Sequence, residues 1–247
     1  MAWMSGLQTR WHTKAVGAAR LLLDTVLPPT DDGELLARLT FLDEPCCACC
    51  GYPFAHEVAG LAAEPLLCAS CLSRRPAFAS ARAALQYDDA SRDMILGFKH
   101  GGHTDRLGSF AAQMHRAGRE ALRDADALVP VPLHRTRRVR RRFNQSALLA
   151  RAVSRRTDVP VLGGVLLRTR KTPSQGGLSA VGRRRNVGGA FAVTDEARVR
   201  GQRLVLVDDV MTTGATLDAC ARVLKRAGAA RVDALCLARV VRPLPAK

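Results

Sequence analysis

A chain of 247 residues has room for one large domain or two unequal ones. Hydrophobic residues make up 47% and charged residues 24%, which excludes a disordered or collagen-like chain; aromatics at 4% leave the core to Ala, Val and Leu. The formal net charge of +16 points to an anionic partner and is unevenly placed, since Arg135 to Arg185 holds 15 basic residues against a single acid, Asp158. Coding bias would explain why 33 of the 38 basic residues are Arg, but not why they cluster.

In chain order, Ala15–Leu27 reads as an amphipathic helix with Val16, Leu21, Leu22, Val26 and Leu27 on its apolar side. Arg20 and Asp24 interrupt it and no small-residue cleavage site follows, so it makes a poor signal peptide; a transit peptide is the weaker alternative, resting on an acid-free start. No apolar run reaches about 18 residues, so no transmembrane helix is expected and the chain is read as cytoplasmic. Pro28-Pro29-Thr30-Asp31-Asp32-Gly33 is a turn-rich break that closes an N-terminal helical leader, residues 1–40.

Six of the eight cysteines fall between Cys46 and Cys71, marking a small module, residues 41–80. Cys47-Ala48-Cys49-Cys50-Gly51 and Cys68-Ala69-Ser70-Cys71 are two CxxC knuckles at zinc-ribbon spacing. Cys46 and Cys49 share the CxxC spacing, which leaves the register open; Cys47 and Cys50 are preferred because Gly51 follows directly, letting backbone N–H groups turn toward sulfur. The expected ligands are Cys47, Cys50, Cys68 and Cys71 around one structural zinc, with His56 as an unpaired substitute. Four thiolates leave no open position for catalysis, disulfides lack an export signal, and two pairs at this spacing do not suit a redox centre.

Downstream, residues 81–247 alternate between strands and helices. Strands are expected at Arg82–Tyr87, Ala127–Val131, Val159–Leu167, Ala190–Val193, Leu204–Val207 and Val232–Val240. Helices are expected at Ser91–Phe98, Leu107–Leu122, Asn144–Arg155 and Thr216–Ala227, with a polar stretch over Arg168–Asn186. This order implies an α/β, mostly parallel, doubly wound sheet flanked by helices, with its ligand site at the carboxyl ends of the strands.

The sharpest local pattern is the apolar run Leu204–Val207 followed by Asp208-Asp209-Val210-Met211-Thr212-Thr213-Gly214-Ala215-Thr216. A hydroxyl- and Gly-rich turn that opens a helix suits a phosphate, because the first N–H groups of a helix are free and its dipole favours an anion. Gly214 lets the backbone come close, Thr212, Thr213 and Thr216 add hydroxyls, and the two acids can accept from vicinal sugar hydroxyls. Together these describe a ribose-5-phosphate site. An ordinary Asp N-cap would account for one acid but not for two acids and the loop.

This stretch resembles the type I phosphoribosyltransferase fingerprint. Val129-Pro130-Val131-Pro132-Leu133-His134-Arg135, Arg142-Phe143-Asn144-Gln145, Thr172 to Gln175, Leu178-Ser179 and Arg185-Asn186 narrow the resemblance to the ComF family (competence protein F, ComFC-like). Tyr87, Lys99-His100 and the double CxxC fit as well, in the same order; Arg142 departs from the Gly usual in that family. The resemblance implies a type I phosphoribosyltransferase-like domain behind a zinc ribbon. It also implies that Asp208 and Asp209 hold the ribose hydroxyls of Mg-bound phosphoribosyl pyrophosphate (PRPP), while Thr212, Thr213, Gly214, Ala215 and Thr216 hold its 5′-phosphate. By the same analogy His134 and Arg135 face pyrophosphate, and Lys171, Thr172, Gln175 and Arg185 belong to a flexible loop that closes over it.

Pyrophosphate needs few cations, whereas the basic stretch offers many. The surplus in Arg137, Arg138, Arg140, Arg141 and Arg142 is read as a candidate contact for single-stranded DNA, matching the family's association with DNA uptake and the competence machinery, or otherwise as a solvated face. With Phe143 the clearest nearby aromatic, such binding would be mostly electrostatic. No residue stands out as a general base and no acceptor is identifiable. Binding and catalysis use the same loop, so a transferase, a DNA-binding competence protein and a PRPP-sensing regulator all remain consistent with the fingerprint.

Overall fold

The computed structural model describes residues 37–55, 65–100, 105–133, 143–170 and 180–241. The expected leader helix Ala15–Leu27, the break after it, and His56 lie outside the described residues. The chain divides into two compact units, Met1–Leu39 and Thr40–Lys247, and all the helices and strands named below belong to the second.

In chain order these are α1 (Ala69–Ser73), β1 (Ala81–Gln86), α2 (Asp89–His100), α3 (Leu107–Arg123), β2 (Ala127–Pro130), α4 (Gln145–Thr157), β3 (Leu166–Arg168), α5 (Ala180–Val187), β4 (Phe191–Val193), β5 (Arg203–Met211), α6 (Ala215–Arg226) and β6 (Arg231–Arg239). The main sheet has the order β1-β6-β5-β2 and every pairing in it is parallel. β6 is buried along almost its whole length and β5 from Leu204 to Val207, as expected when helices cover both faces.

Successive side chains of a strand face opposite sides. Leu204, Leu206, Ala234 and Cys236 share a core with Leu217, Cys220, Ala221 and Leu224 of α6. On the other side α3 packs against β1 and β6 and α4 against β2 and β5. The approach of α3 is close, because a Cβ on Gly118 would come within 2.8 Å of Leu235.

Two expected strands differ from the structure. Val159–Leu167 does not form one strand: Val161 makes a single parallel bridge to Leu128, and only Leu166–Arg168 is extended, pairing antiparallel with β4. Pro160 lacks an amide donor and Gly164 turns the chain at φ +80°, so the segment is split between two sheets. The strand expected over Leu204–Val207 instead runs on to Met211, because β6 continues the ladder past the acids through Asp208↔Cys236, Val210↔Ala238 and Met211↔Arg239.

The connections set the position of the site. After β2 the chain passes through α4 to the bridge at Val161, on the outer edge of β2. After β5 it passes through α6 to β6, on the other edge. The carboxyl ends of β2 and β5 therefore flank a topological switch point, where open α/β sheets leave a crevice.

Candidate functional site

Asp208 and Asp209 stand near the end of β5, both half-buried. Asp208 Oδ1 accepts from the amide of Asp209 at 3.0 Å and from Ser146 Oγ at 3.0 Å. Asp209 Oδ1 accepts from the amide of Val210 at 2.6 Å. Ser146 sits in the first turn of α4, whose N-cap is Asn144: its side chain accepts from the Ser146 amide at 3.1 Å and donates to the Val131 carbonyl at 3.0 Å. Asn144 thus fixes the start of α4 against the end of β2 and aims Ser146 at Asp208. Ser146 directly follows Phe143-Asn144-Gln145, the part of this turn that the family resemblance marks.

Beyond Met211 the chain turns at Thr212-Thr213-Gly214 and opens α6 at Ala215. Gly214, at φ +73°, is the N-cap, and no side chain caps the helix. A glycine at the N-cap has no side chain with which to close off the first amides, as suits an anion site. Thr213 Oγ1 is buried and has no hydrogen-bond partner among the described residues. An orphaned buried hydroxyl is rare and asks for a partner such as water or a ligand.

The second cluster is the cysteine module. The Sγ atoms of Cys47, Cys50, Cys68 and Cys71 all lie within 4.8 Å of one another, a group able to hold a metal ion. All eight cysteines are unbridged. The amides of Cys50 and Cys68 point at Cys47 Sγ, at 3.5 and 3.3 Å. Burial works against ionisation of Cys47, but the amides of Cys50, Cys68 and Cys49 outweigh it and bring the thiol down to about 7. Burial pushes Cys50 up to about 12 against the pull of Arg239, and it also raises Cys71. A metal would draw all four into the thiolate form and release their protons.

Gly51 ends the first knuckle. It has φ +66°, and a Cβ there would come within 2.5 Å of the Ala81 carbonyl, so the first knuckle closes directly against the start of β1. The amide of Ala81 donates to the Cys49 carbonyl at 2.8 Å. Cys47, Cys49, Cys50 and Cys71 share one hydrophobic core with Phe78 and α6.

Between the cysteine module and the threonine turn lies a cavity of about 380 Å³, lined by Tyr52, Phe78, Arg74, Arg184, Thr213 and Arg239 among others. Arg184, in the last turn of α5, was not anticipated; Arg185, which was, is exposed. The sequence signal for Arg184 was the run Arg183-Arg184-Arg185, which does not say which member faces inward. His134, Arg135, Arg137, Arg138, Arg140, Arg141 and Arg142 lie outside the described residues, as do Lys171, Thr172 and Gln175. Their neighbours are described: Leu133 follows β2 and Phe143 precedes α4, its ring 6.4 Å from that of Phe98.

A parallel sheet with paired acids and a threonine turn at its switch point defines the phosphoribosyltransferase class of fold, and the model of the phosphoribosyl transferase domain family matches residues 76–243. The chain is 33% identical over 213 residues to the DNA utilization protein YhgH of Escherichia coli K12, covering 84% of this chain and 90% of that one. It is 33% identical over 178 residues to competence protein F of Haemophilus influenzae, covering 70% and 78%. It is 29% identical over 160 residues to competence protein ComFC of Bacillus subtilis, covering 64% and 63%. The chain belongs to the ComF family and carries a phosphoribosyl transferase domain.

Proposed function

We propose that this protein binds Mg–PRPP at the carboxyl ends of β2 and β5 and transfers its phosphoribosyl group, releasing pyrophosphate. Thr213 carries this reading: its buried Oγ1 lacks a partner in a turn that opens a helix with glycine at its N-cap, shortly after two carboxylates. A 5′-phosphate would take up that hydroxyl and the amides of the first turn of α6, together with Thr212, Gly214, Ala215 and Thr216. Asp208 and Asp209 would accept from the ribose hydroxyls, with Ser146 orienting Asp208. His134, Arg135, Lys171, Thr172, Gln175 and Arg185 are proposed for the pyrophosphate side.

In the transfer the bond from the anomeric carbon to the pyrophosphate oxygen breaks, its electron pair leaving with pyrophosphate. A bond from the acceptor's nucleophilic atom forms in its place, and the acceptor's proton passes to solvent. Positioning and charge stabilisation do most of this work, and magnesium would supply positive charge at the departing group. Cys47, Cys50, Cys68 and Cys71 would hold one structural zinc, which with four thiolates has no open position for chemistry. The organisation proposed is a leader over 1–40, a zinc ribbon over 41–80 and a transferase-like domain over 81–247.

A second reading is favoured by the charge of the Arg135–Arg185 stretch and by relatives named for competence and DNA utilization. In it Arg137, Arg138, Arg140, Arg141 and Arg142 grip single-stranded DNA during uptake, and PRPP serves as a bound signal. Incubation with Mg–PRPP and a panel of bases and amines, followed by a pyrophosphate assay, separates the two. Release that depends on an acceptor supports transfer; PRPP bound without release with any acceptor supports the signalling reading.

A further inference from the structure

Arg239, the last residue of β6, is buried at 6% exposure, yet it pairs with no carboxylate among the described residues. Its Nη1 donates to the Cys50 carbonyl at 2.5 Å and lies 3.5 Å from Met211 Sδ. Its Nη2 lies 3.6 Å from Cys50 Sγ, and its guanidinium sits over the Tyr52 ring at 5.4 Å from the centroid. A single buried cation thus reaches the cysteine module through both Nη atoms and the end of β5 through the same Nη1 that holds the Cys50 carbonyl.

Met211 continues the connection. It is buried, is the register partner of Arg239, and its carbonyl accepts from the Val240 amide at 2.9 Å. Thr212 follows it directly, and a Cβ on Gly214 would come within 3.0 Å of Met211 Cε. The path from Cys50 through Arg239 and Met211 to the threonine turn is therefore continuous packing. Four cysteinates around a divalent ion carry two net negative charges, which are the natural counter-charge for a buried guanidinium that has no acid.

We propose that Arg239 is a positioning residue that couples the four-cysteine site to the threonine turn, so that metal occupancy there strengthens ligand binding at the turn. The proposal rests on the reading of that turn as the PRPP 5′-phosphate site. Coupling between two sites is reciprocal, so Mg–PRPP must tighten zinc binding by the factor by which zinc tightens PRPP, typically about 5-fold or more.

The test is the zinc affinity of the full chain, measured by competition with a zinc-selective chelator, with and without saturating Mg–PRPP. In the wild type Mg–PRPP should raise zinc affinity about 5-fold or more. In Arg239→Lys, which keeps the charge but not the fork, zinc should still bind one per chain while the enhancement disappears. An equal enhancement in the variant, or none in a wild type that binds PRPP by calorimetry, overturns the coupling and leaves the PRPP reading standing. A zinc-loaded wild type that does not bind PRPP overturns the PRPP reading, and the coupling with it. A measurement that needs neither variant nor PRPP is hydrogen exchange on chelation of the wild type. The amides of 211–216 should lose protection together with those of 47–51; unchanged exchange at 211–216 while 47–51 open would contradict the proposal.

Discussion

Ser146 Oγ donates to Asp208 Oδ1 at 3.0 Å across 62 residues of sequence, joining the first turn of α4 to the end of β5. The bond ties the helix that follows β2 to the end of β5, beside the switch point, and it holds one oxygen of Asp208 in place before any ligand arrives. A hydrogen bond to a charged group is worth about 1.5–3 kcal/mol. Ser146→Ala should therefore leave the fold intact and weaken Mg–PRPP binding about tenfold, measured by calorimetry. Unchanged affinity would show that Asp208 needs no such support.

Gly214 occupies the left-handed region, where a side chain costs about 1–2 kcal/mol, and a Cβ there would also press on Met211. Gly214→Ala should lower stability by about that amount in denaturant unfolding. It should also weaken PRPP binding, because the approach of the backbone to the phosphate is lost. A variant as stable as the wild type would contradict the geometry of the turn.

Metal analysis should find one zinc per chain. Cys47→Ser should lose it while Cys46→Ser keeps it, because Cys47 and not Cys46 lies within 4.8 Å of the other three sulfurs. The reverse pattern would move the register by one residue. Chelation should loosen residues 40–80 first, since folding of such a module is tied to its metal.

If the arginines after β2 contact DNA, affinity for single-stranded oligonucleotides should fall with salt by about 0.7 log units per log unit of salt for each phosphate contacted. Changing Arg137, Arg138, Arg140 and Arg141 to Ala should flatten the slope by several contacts and spare PRPP binding. Weak DNA binding in the wild type, with PRPP affinity falling in the variant, would assign the stretch to pyrophosphate instead.

The order of the main-sheet strands and of the helices packed on them was legible because the apolar runs of the sheet are short and bounded by polar turns, whereas α5 lies largely in the polar stretch Arg168–Asn186, which has no apolar period to mark a helix. The turn at Thr212–Gly214 was legible too, since its residue types leave few alternatives. The length of β5 was not. Two adjacent acids read as the end of a strand, but β6 supplies pairing partners past them, and tertiary pairing overrode local propensity. Nor could the link from Ser146 to Asp208 be read, since a contact across 62 residues leaves no local trace. Arg239 did leave one: it is a charge in an otherwise apolar strand end, although nothing local says that it reaches Cys50. The preference for Cys47 and Cys50 rested on Gly51, and the same glycine proves to be where the module meets β1.

Asp208 and Asp209 are proposed to hold the ribose of PRPP, and the most direct measurement of that role is calorimetry of Mg–PRPP binding to the wild type and to Asp208→Asn with Asp209→Asn. Each lost charged hydrogen bond is worth about 1.5–3 kcal/mol, so the double variant should bind about two decades or more weaker. Its circular dichroism and zinc content should match those of the wild type. Unchanged PRPP affinity in the folded double variant would show that the two acids do not hold the ribose.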